Sequence, residues 1–322
     1  MQMTSTAGSA TDPRVLITRK VLRELSAETL KYPNIETACG LVGMVLANGT
    51  IVIAGVIPPS TRDIVRRQAT VKFGGEGLSA AVLWMEANFA NIHKNDSVAN
   101  FSFIWKKHSH HGLGYNHFSQ TDVNSIVEAV EKYKMEFAIG ILALIPENRS
   151  TVHTRGQMKG TVSVESDVTV RFRFYYFDRN MLQAGIREPK LVTPQVVDEK
   201  VVPVMPPLAW QWVDEDGFNR QLRQLEEYGA RATPIYRDVN GDPIQEIQFV
   251  ITKPNWKGTL LVTTNWDYPK TPPLIQVISD VDPTRPGKEL HEVKLDADGK
   301  PIWTSESDFI DVVFELEKLE EL

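Results

Sequence analysis

The stretch CGLVGMVLANGTIVIAGVIPPS, residues 39–60, constrains the fold most. Two apolar runs rich in Val and Ile flank Ala47-Asn48-Gly49-Thr50. Asn-Gly between such runs is the strongest short-range signal for a β-hairpin, because both central residues of the favoured turn need φ > 0. Glu36 therefore stands just before the first strand of a hairpin.

The elements around that hairpin alternate in type. Val15–Thr18 reads as a short strand, and Arg19 to Lys31 as a helix with Val21, Leu22, Leu25 and Leu30 near one face, stopped by Pro33. A strand is expected near Ala69–Phe73 and a helix from Leu78 to His93. Phe101, Phe103 and Trp105 alternate in a strand over Asn100–Trp105, which runs into KKHSHHGLGYNHFSQTD. A helix over Val123–Met135, an apolar strand over Phe137–Ile145 and an alternating strand over Val168–Phe177 follow. This mixture of helix and strand predicts an α/β or α+β architecture, a mixed sheet flanked by helices.

At 322 residues the chain is long enough for two domains. Pro189, Pro194, Pro203, Pro206 and Pro207 crowd one stretch, and proline neither continues a helix nor sits centrally in a sheet. The expected division is a disordered tail over 1–13, a first domain over 14–187, a proline-rich linker over 188–209 and a smaller α+β domain over 210–322. Charge divides the same way: residues 1–200 carry a net +4 and residues 201–322 a net −10. In the second domain Phe218, Leu222, Leu225 and Tyr228 mark a helix, Ile247–Thr252, Thr259–Thr264 and Leu274–Ile278 read as strands, and Asp308–Leu322 as a closing helix. With a net charge of −6, nothing points to nucleic acid or an anionic membrane as a partner. The single cysteine, Cys39, excludes an internal disulfide and any multi-cysteine metal site. Its apolar surroundings favour an inert buried thiol. The polar start lacks a signal peptide's apolar core, so a cytoplasmic location is expected.

Four of the seven histidines fall within residues 108–117. Metal ligation is the commonest reason for such crowding. His108 and His110 are two apart, which puts both imidazoles on one face of a strand. Ser119-Gln120-Thr121-Asp122 then opens a helix, with Ser119 as N-cap and Asp122 able to supply a third ligand from the first turn. Two histidines, one aspartate and an open position make the composition of a catalytic zinc site. Such a site needs a general base, for which Glu36 is the candidate, and a hydroxyl for the oxyanion, for which Ser119 is placed. His111 and His117 are expected to be exposed loop residues, since they exceed the count of an open site.

Glu36, His108-Ser109-His110 and Ser119-Gln120-Thr121-Asp122, in this order, resemble the JAB/MPN domain with its JAMM motif, over about residues 15–185. The gap from the second histidine to the serine is eight residues where the family usually has seven. His111 stands where a proline is usual, and Cys39 where glycine is frequent. The resemblance implies a Zn2+ isopeptidase that cuts ubiquitin or ubiquitin-like proteins from lysine. It implies catalytic roles for Glu36 and Ser119, and a metal held by His108, His110 and Asp122. In the second domain, Tyr268, Pro269, Pro272 and Pro273 resemble the Tyr-Pro-x-x-Pro-Pro turn of the ubiquitin-conjugating-enzyme fold. No cysteine follows that turn, so a thioester cannot form there, and the domain looks like a catalytically dead relative of the RWD or ubiquitin-conjugating-variant kind. Such a fusion is similar to prokaryotic ubiquitin-like conjugation systems, some linked to antiviral defence. It implies ubiquitin-like proteins or their conjugates, and activating or conjugating enzymes, as partners. A non-catalytic scaffold binding the same partners, and a hydrolase of small amides, are the competing readings.

Overall fold

The computed structural model describes residues 13–32, 34–60, 64–67, 70–93, 101–111, 116–145, 161–164, 169–237, 246–266, 268–279, 289–292, 303, 306–318 and 322. Nearly all of the tail expected over 1–13 lies outside the described residues. The chain divides into two compact units, residues 1–82 with 93–205, and residues 83–92 with 206–322. Both are mixtures of helix and strand, as the α+β expectation requires.

The first unit begins with β1 (Val15–Thr18), α1 (Arg19–Leu30), β2 (Ala38–Val45) and β3 (Ile51–Ile57). A small hairpin of β4 (Ile64–Arg67) and β5 (Thr70–Phe73) leads to α2 (Glu76–Ile92), whose residues 83–92 cluster with the second unit. Then come β6 (Phe101–His111), α3 (Gln120–Glu131), β7 (Phe137–Ile145), β8 (Thr161–Val164), β9 (Val170–Asp178) and α4 (Arg179–Gln183). β10 (Lys190–Val192) and β11 (Gln195–Val197) close the unit. One mixed sheet runs β10-β9-β7-β6-β2-β3-β1-β11, with β8 added to β9.

β10 and β11 correct the linker expected over 188–209. β10 pairs antiparallel with β9, and β11 pairs parallel with β1, Leu16 opposite Gln195. Pro189 and Pro194 each immediately precede one of these three-residue strands. Proline is tolerated at strand starts, so its density marked strand ends there and not a break in the fold.

Each face of the sheet carries its own core. Under α1, Val21, Leu22 and Leu25 pack on Cys39, Leu41, Ile104, Ile139, Ile141 and Phe172. Under α3, Ile126, Val127 and Val130 pack on Trp105, Phe118, Ala138, Leu142 and Tyr175. The alternation along β7 divides its side chains between the two cores, as a strand buried on both faces requires. Cys39 is fully buried in the first core, and burial pushes its thiol up to about 12, so the inert reading holds.

The second unit is an antiparallel meander of β12 (Arg231–Arg237), β13 (Glu246–Thr252), β14 (Gly258–Thr264), β15 (Leu274–Ser279) and β16 (Glu289–Glu292). Its helices are α5 (Trp210–Val213), α6 (Glu215–Glu227) and α7 (Phe309–Lys318). Its core joins Trp210, Leu225, Phe249, Val262, Tyr268 and Phe309. The Tyr268 hydroxyl donates to Gln221 Oε1 at 3.0 Å, which fixes the start of the proline-rich turn to α6. Among the described residues, no helix is long and apolar enough to cross a membrane.

Candidate metal centre

β6 does not continue the alternation of Phe101, Phe103 and Trp105. Trp105 pairs with Leu41 and Phe103 with Val42, leaving Ile104 as an extra residue in a β-bulge. Trp105 has φ +113°, a conformation that a bulky residue rarely adopts. Its indole packs with the α3 core, whereas Ile104 packs with the α1 core. Beyond the bulge the parity is switched: the ammonium of the fully buried Lys107 interacts with Cys39 and Glu28 on the α1 side, while Lys106, His108 and His110 line the cavity beneath α3. A one-residue shift moves every later side chain to the opposite face. The bulge is therefore what delivers the two histidines.

α3 supplies the third group. Ser119 is its N-cap, and a complete capping box forms. The Ser119 hydroxyl accepts from the Asp122 backbone N–H at 3.3 Å, and Asp122 Oδ2 accepts from the Ser119 backbone N–H at 2.8 Å. The hydroxyl also donates to Asp122 Oδ2 at 2.7 Å. The cap thus aims the carboxylate at the histidines.

His108 Nε2 and His110 Nε2 lie 3.3 Å apart. Asp122 Oδ1 is 3.3 Å from His108 Nε2, and Asp122 Oδ2 is 3.7 Å from His110 Nε2. Ligand atoms of this group all fall within 4.8 Å of one another, so His108, His110 and Asp122 can hold a metal ion. A tetrahedral ion with arms of about 2.05 Å sets its ligand atoms about 3.3 Å apart, which the two imidazole nitrogens match; Asp122 presents a different oxygen to each histidine, and a small turn of the carboxylate would bring one oxygen to both. Burial pulls the His108 pKa down, against the pull of Asp122, which favours the neutral imidazole that a metal needs. Burial would raise the Asp122 pKa. The bonds from His108, His110 and Ser119 outweigh it and hold the carboxyl well below the usual range.

Glu36 arrives from β2. Ala38 pairs with His108, and Thr37 N donates to Ser109 Oγ at 3.0 Å while Ser109 N donates to Thr37 O at 3.0 Å. One step further along this register, Glu36 lies across from His110, on the cavity face. Its side chain is only 5% exposed. Burial pushes its pKa from 4.5 up to about 7, offset in part by His110 and reinforced by Asp122. All five residues expected at the site, Glu36, His108, His110, Ser119 and Asp122, line one cavity of about 600 Å³. His117 is exposed at its rim, as expected; His111 is the last residue of β6, opposite Ile145 of β7, and not a loop residue, and its side chain lies outside the described residues.

Sequence reasoning missed the aromatic support. Phe118 stacks on His108 (ring centroids 5.2 Å apart) and on Tyr175 (3.8 Å). The Tyr175 hydroxyl accepts from the Phe118 backbone N–H at 3.3 Å, and Arg173 donates to the Asn116 carbonyl. Gly140 makes room for that ring: a Cβ there would lie 2.8 Å from Phe118 Cζ. A glycine inside an otherwise apolar strand was the available signal for this close approach.

No protein-family model matches the chain, and a search of curated proteins finds no match either. The functional reading therefore stands on the site.

Proposed function

We propose that the first unit is a zinc-dependent isopeptidase or peptidase that removes or processes a ubiquitin-like protein tag, of the JAMM type that the motif resembles. One observation carries the reading. A His-His-Asp set able to hold a metal ion shares a cavity with a buried glutamate of raised pKa.

His108, His110 and Asp122 would hold zinc, which would supply Lewis acidity toward a carbonyl and lower the pKa of a water. Glu36 takes the proton from the attacking water and returns it to the leaving amine. A carboxyl with a pKa near 7 is suited to both transfers at neutral pH. Ser119 holds Asp122 in its ligating orientation; with its hydroxyl turned to the cavity it becomes a donor for the oxyanion. The second unit has no cysteine and so no thioester chemistry. Its part in this reading is to bind the tag or a conjugation partner, and the net −10 of residues 201–322 favours a basic one.

The test is hydrolysis of a ubiquitin-like protein joined through its C-terminus to a lysine side chain. Glu36→Gln should bind zinc like the wild type and cut at least about 100-fold more slowly. Equal cleavage by both proteins refutes the mechanism. Specific partner binding with no cleavage by either points to a scaffold.

A further inference from the structure

The bulge in β6 does more than present the histidines. It places Trp105 and Lys106, consecutive residues, on the same side of the strand. The Lys106 ammonium lies 4.8 Å from the indole centroid and 5.6 Å from the Phe73 ring, and donates to the Phe73 carbonyl at 2.8 Å. Gly74, at φ +130°, lies against it: a Cβ at that position would come within 3.3 Å of Nζ. The ammonium is thus fixed on three sides by β5, Gly74 and Trp105, with one of its three donors used by a described residue. Among the described residues, no carboxylate comes within ion-pair distance of it.

Lys106, His108 and His110 form one row along the cavity face. At about 3.3 Å per residue, the Lys106 backbone is roughly 7 Å from that of His108. The charge balance makes the position informative. Asp122 and, when ionised, Glu36 would offset a divalent cation at the ligand set; Glu128 acts on Lys106 only from beyond ion-pair distance, so among the described residues the ammonium stands without an ion-pair partner on the wall of the same cavity. The exposed Lys72 lines that wall too. A half-buried ammonium pre-positioned in this way forms charge-assisted bonds with an incoming anion at little ordering cost.

We propose that Lys106 is a carboxylate-recognising subsite of the metal-centred cavity, selecting substrates that carry a carboxylate near the scissile amide. The inference rests on the metal reading above. The carboxylate can be an acidic side chain or a chain end, since both present the same two oxygens.

The test measures ligand affinity and not turnover. Zinc-loaded protein is titrated with acetohydroxamate, with the monohydroxamates of succinic, glutaric and adipic acid, and with their neutral amide-capped counterparts. At least one free carboxylate should bind about tenfold tighter than its capped counterpart, and less so as salt is raised. Lys106→Met, which keeps the stem over Trp105, should abolish the gain and leave acetohydroxamate binding unchanged; Lys106→Arg should retain it. Two peptide hydroxamates then separate the sources, one with an acidic residue and an amidated end, one with a neutral residue and a free end. Acetohydroxamate binding with no gain from any carboxylate overturns the subsite alone. A gain that persists in Lys106→Met does the same. Failure of acetohydroxamate to bind zinc-loaded protein overturns the metal reading with it. Should Lys106→Met not fold, Lys72→Met decides with the wild type: a carboxylate gain retained there supports Lys106, and no gain in the wild type, or a gain lost in Lys72→Met, overturns the subsite.

Discussion

Gly140→Ala tests the aromatic support of the metal ligands from a residue that touches no metal. The added Cβ would lie 2.8 and 2.9 Å from two atoms of the Phe118 ring and 3.1 Å from Ile126 Cδ1. An ordinary carbon–carbon contact is about 3.5 Å or more, so the ring tip must retreat by roughly 0.7 Å. The ring has little freedom to do so, being buried and stacked on both Tyr175 and His108. Overpacking of this kind costs about 1–3 kcal/mol, and the lower chain entropy of alanine in the unfolded state returns up to about 1 kcal/mol. A net loss of about 1–2 kcal/mol is expected in urea unfolding of the metal-free protein. Because the displaced ring bears on His108, zinc affinity should fall about 10- to 100-fold, as when a group that orients a ligand is lost. Combining Gly140→Ala with Phe118→Leu should show a coupling of about 1 kcal/mol or more, since the shorter side chain no longer meets the Cβ. Unchanged stability and zinc affinity in Gly140→Ala, or strict additivity in the double variant, would refute the reasoning.

Ser119→Ala removes the cap and the donor to Asp122; helix loss of about 1 kcal/mol and a 10- to 100-fold weaker zinc site are expected, read by unfolding and by competitive titration. Lys107 is fully buried, and its ammonium has no hydrogen-bond partner among the described residues, so Lys107→Met should stabilise the protein by about 1–2 kcal/mol and raise the thermal midpoint; a lower midpoint contradicts this. Glu36 sets a pH dependence in the metal-free protein. Its folded pKa, about 7, lies above the ordinary 4.5, so its contribution is fully present below pH 4.5 and is lost as pH rises through 7. The loss amounts to about 3 kcal/mol at most, and Glu36→Gln should flatten the profile between pH 5 and 8, measured by denaturant unfolding at each pH.

Long, locally encoded elements were legible in the sequence. The hairpin forms, though not with Asn48-Gly49 at the centre of a two-residue turn: Gly49 N donates to the Leu46 carbonyl across Ala47-Asn48, and of the pair Gly49 alone takes positive φ, +78°; Phe137–Ile145 is a strand throughout. β10 and β11 were not legible, because three residues carry no periodicity and β11 gains its partner, β1, from about 180 positions away in sequence. β12 was missed as well: it contains Pro234, which an edge strand tolerates and β12 is one. Residues 83–92 looked like part of the first domain but cluster with the second unit, where Trp84 Nε1 donates to the Pro207 carbonyl and its ring meets Trp212. At the site, the ligand spacing was readable because it follows the two-residue repeat of a strand and the capping pattern of a helix start. The bulge was not. Extending the Phe101-Phe103-Trp105 alternation would have turned Lys107 toward the cavity and the histidines away from it, and only tertiary pairing with β2 reveals the extra residue.

The most direct measurement is the zinc stoichiometry of purified protein by equilibrium titration, on the wild type, Glu36→Gln and His110→Ala side by side. One tightly bound zinc per chain is expected in the wild type, retained in Glu36→Gln and lost in His110→Ala. Absence of bound zinc in the wild type, or binding that is indifferent to His110, would contradict the metal centre on which the proposed chemistry stands.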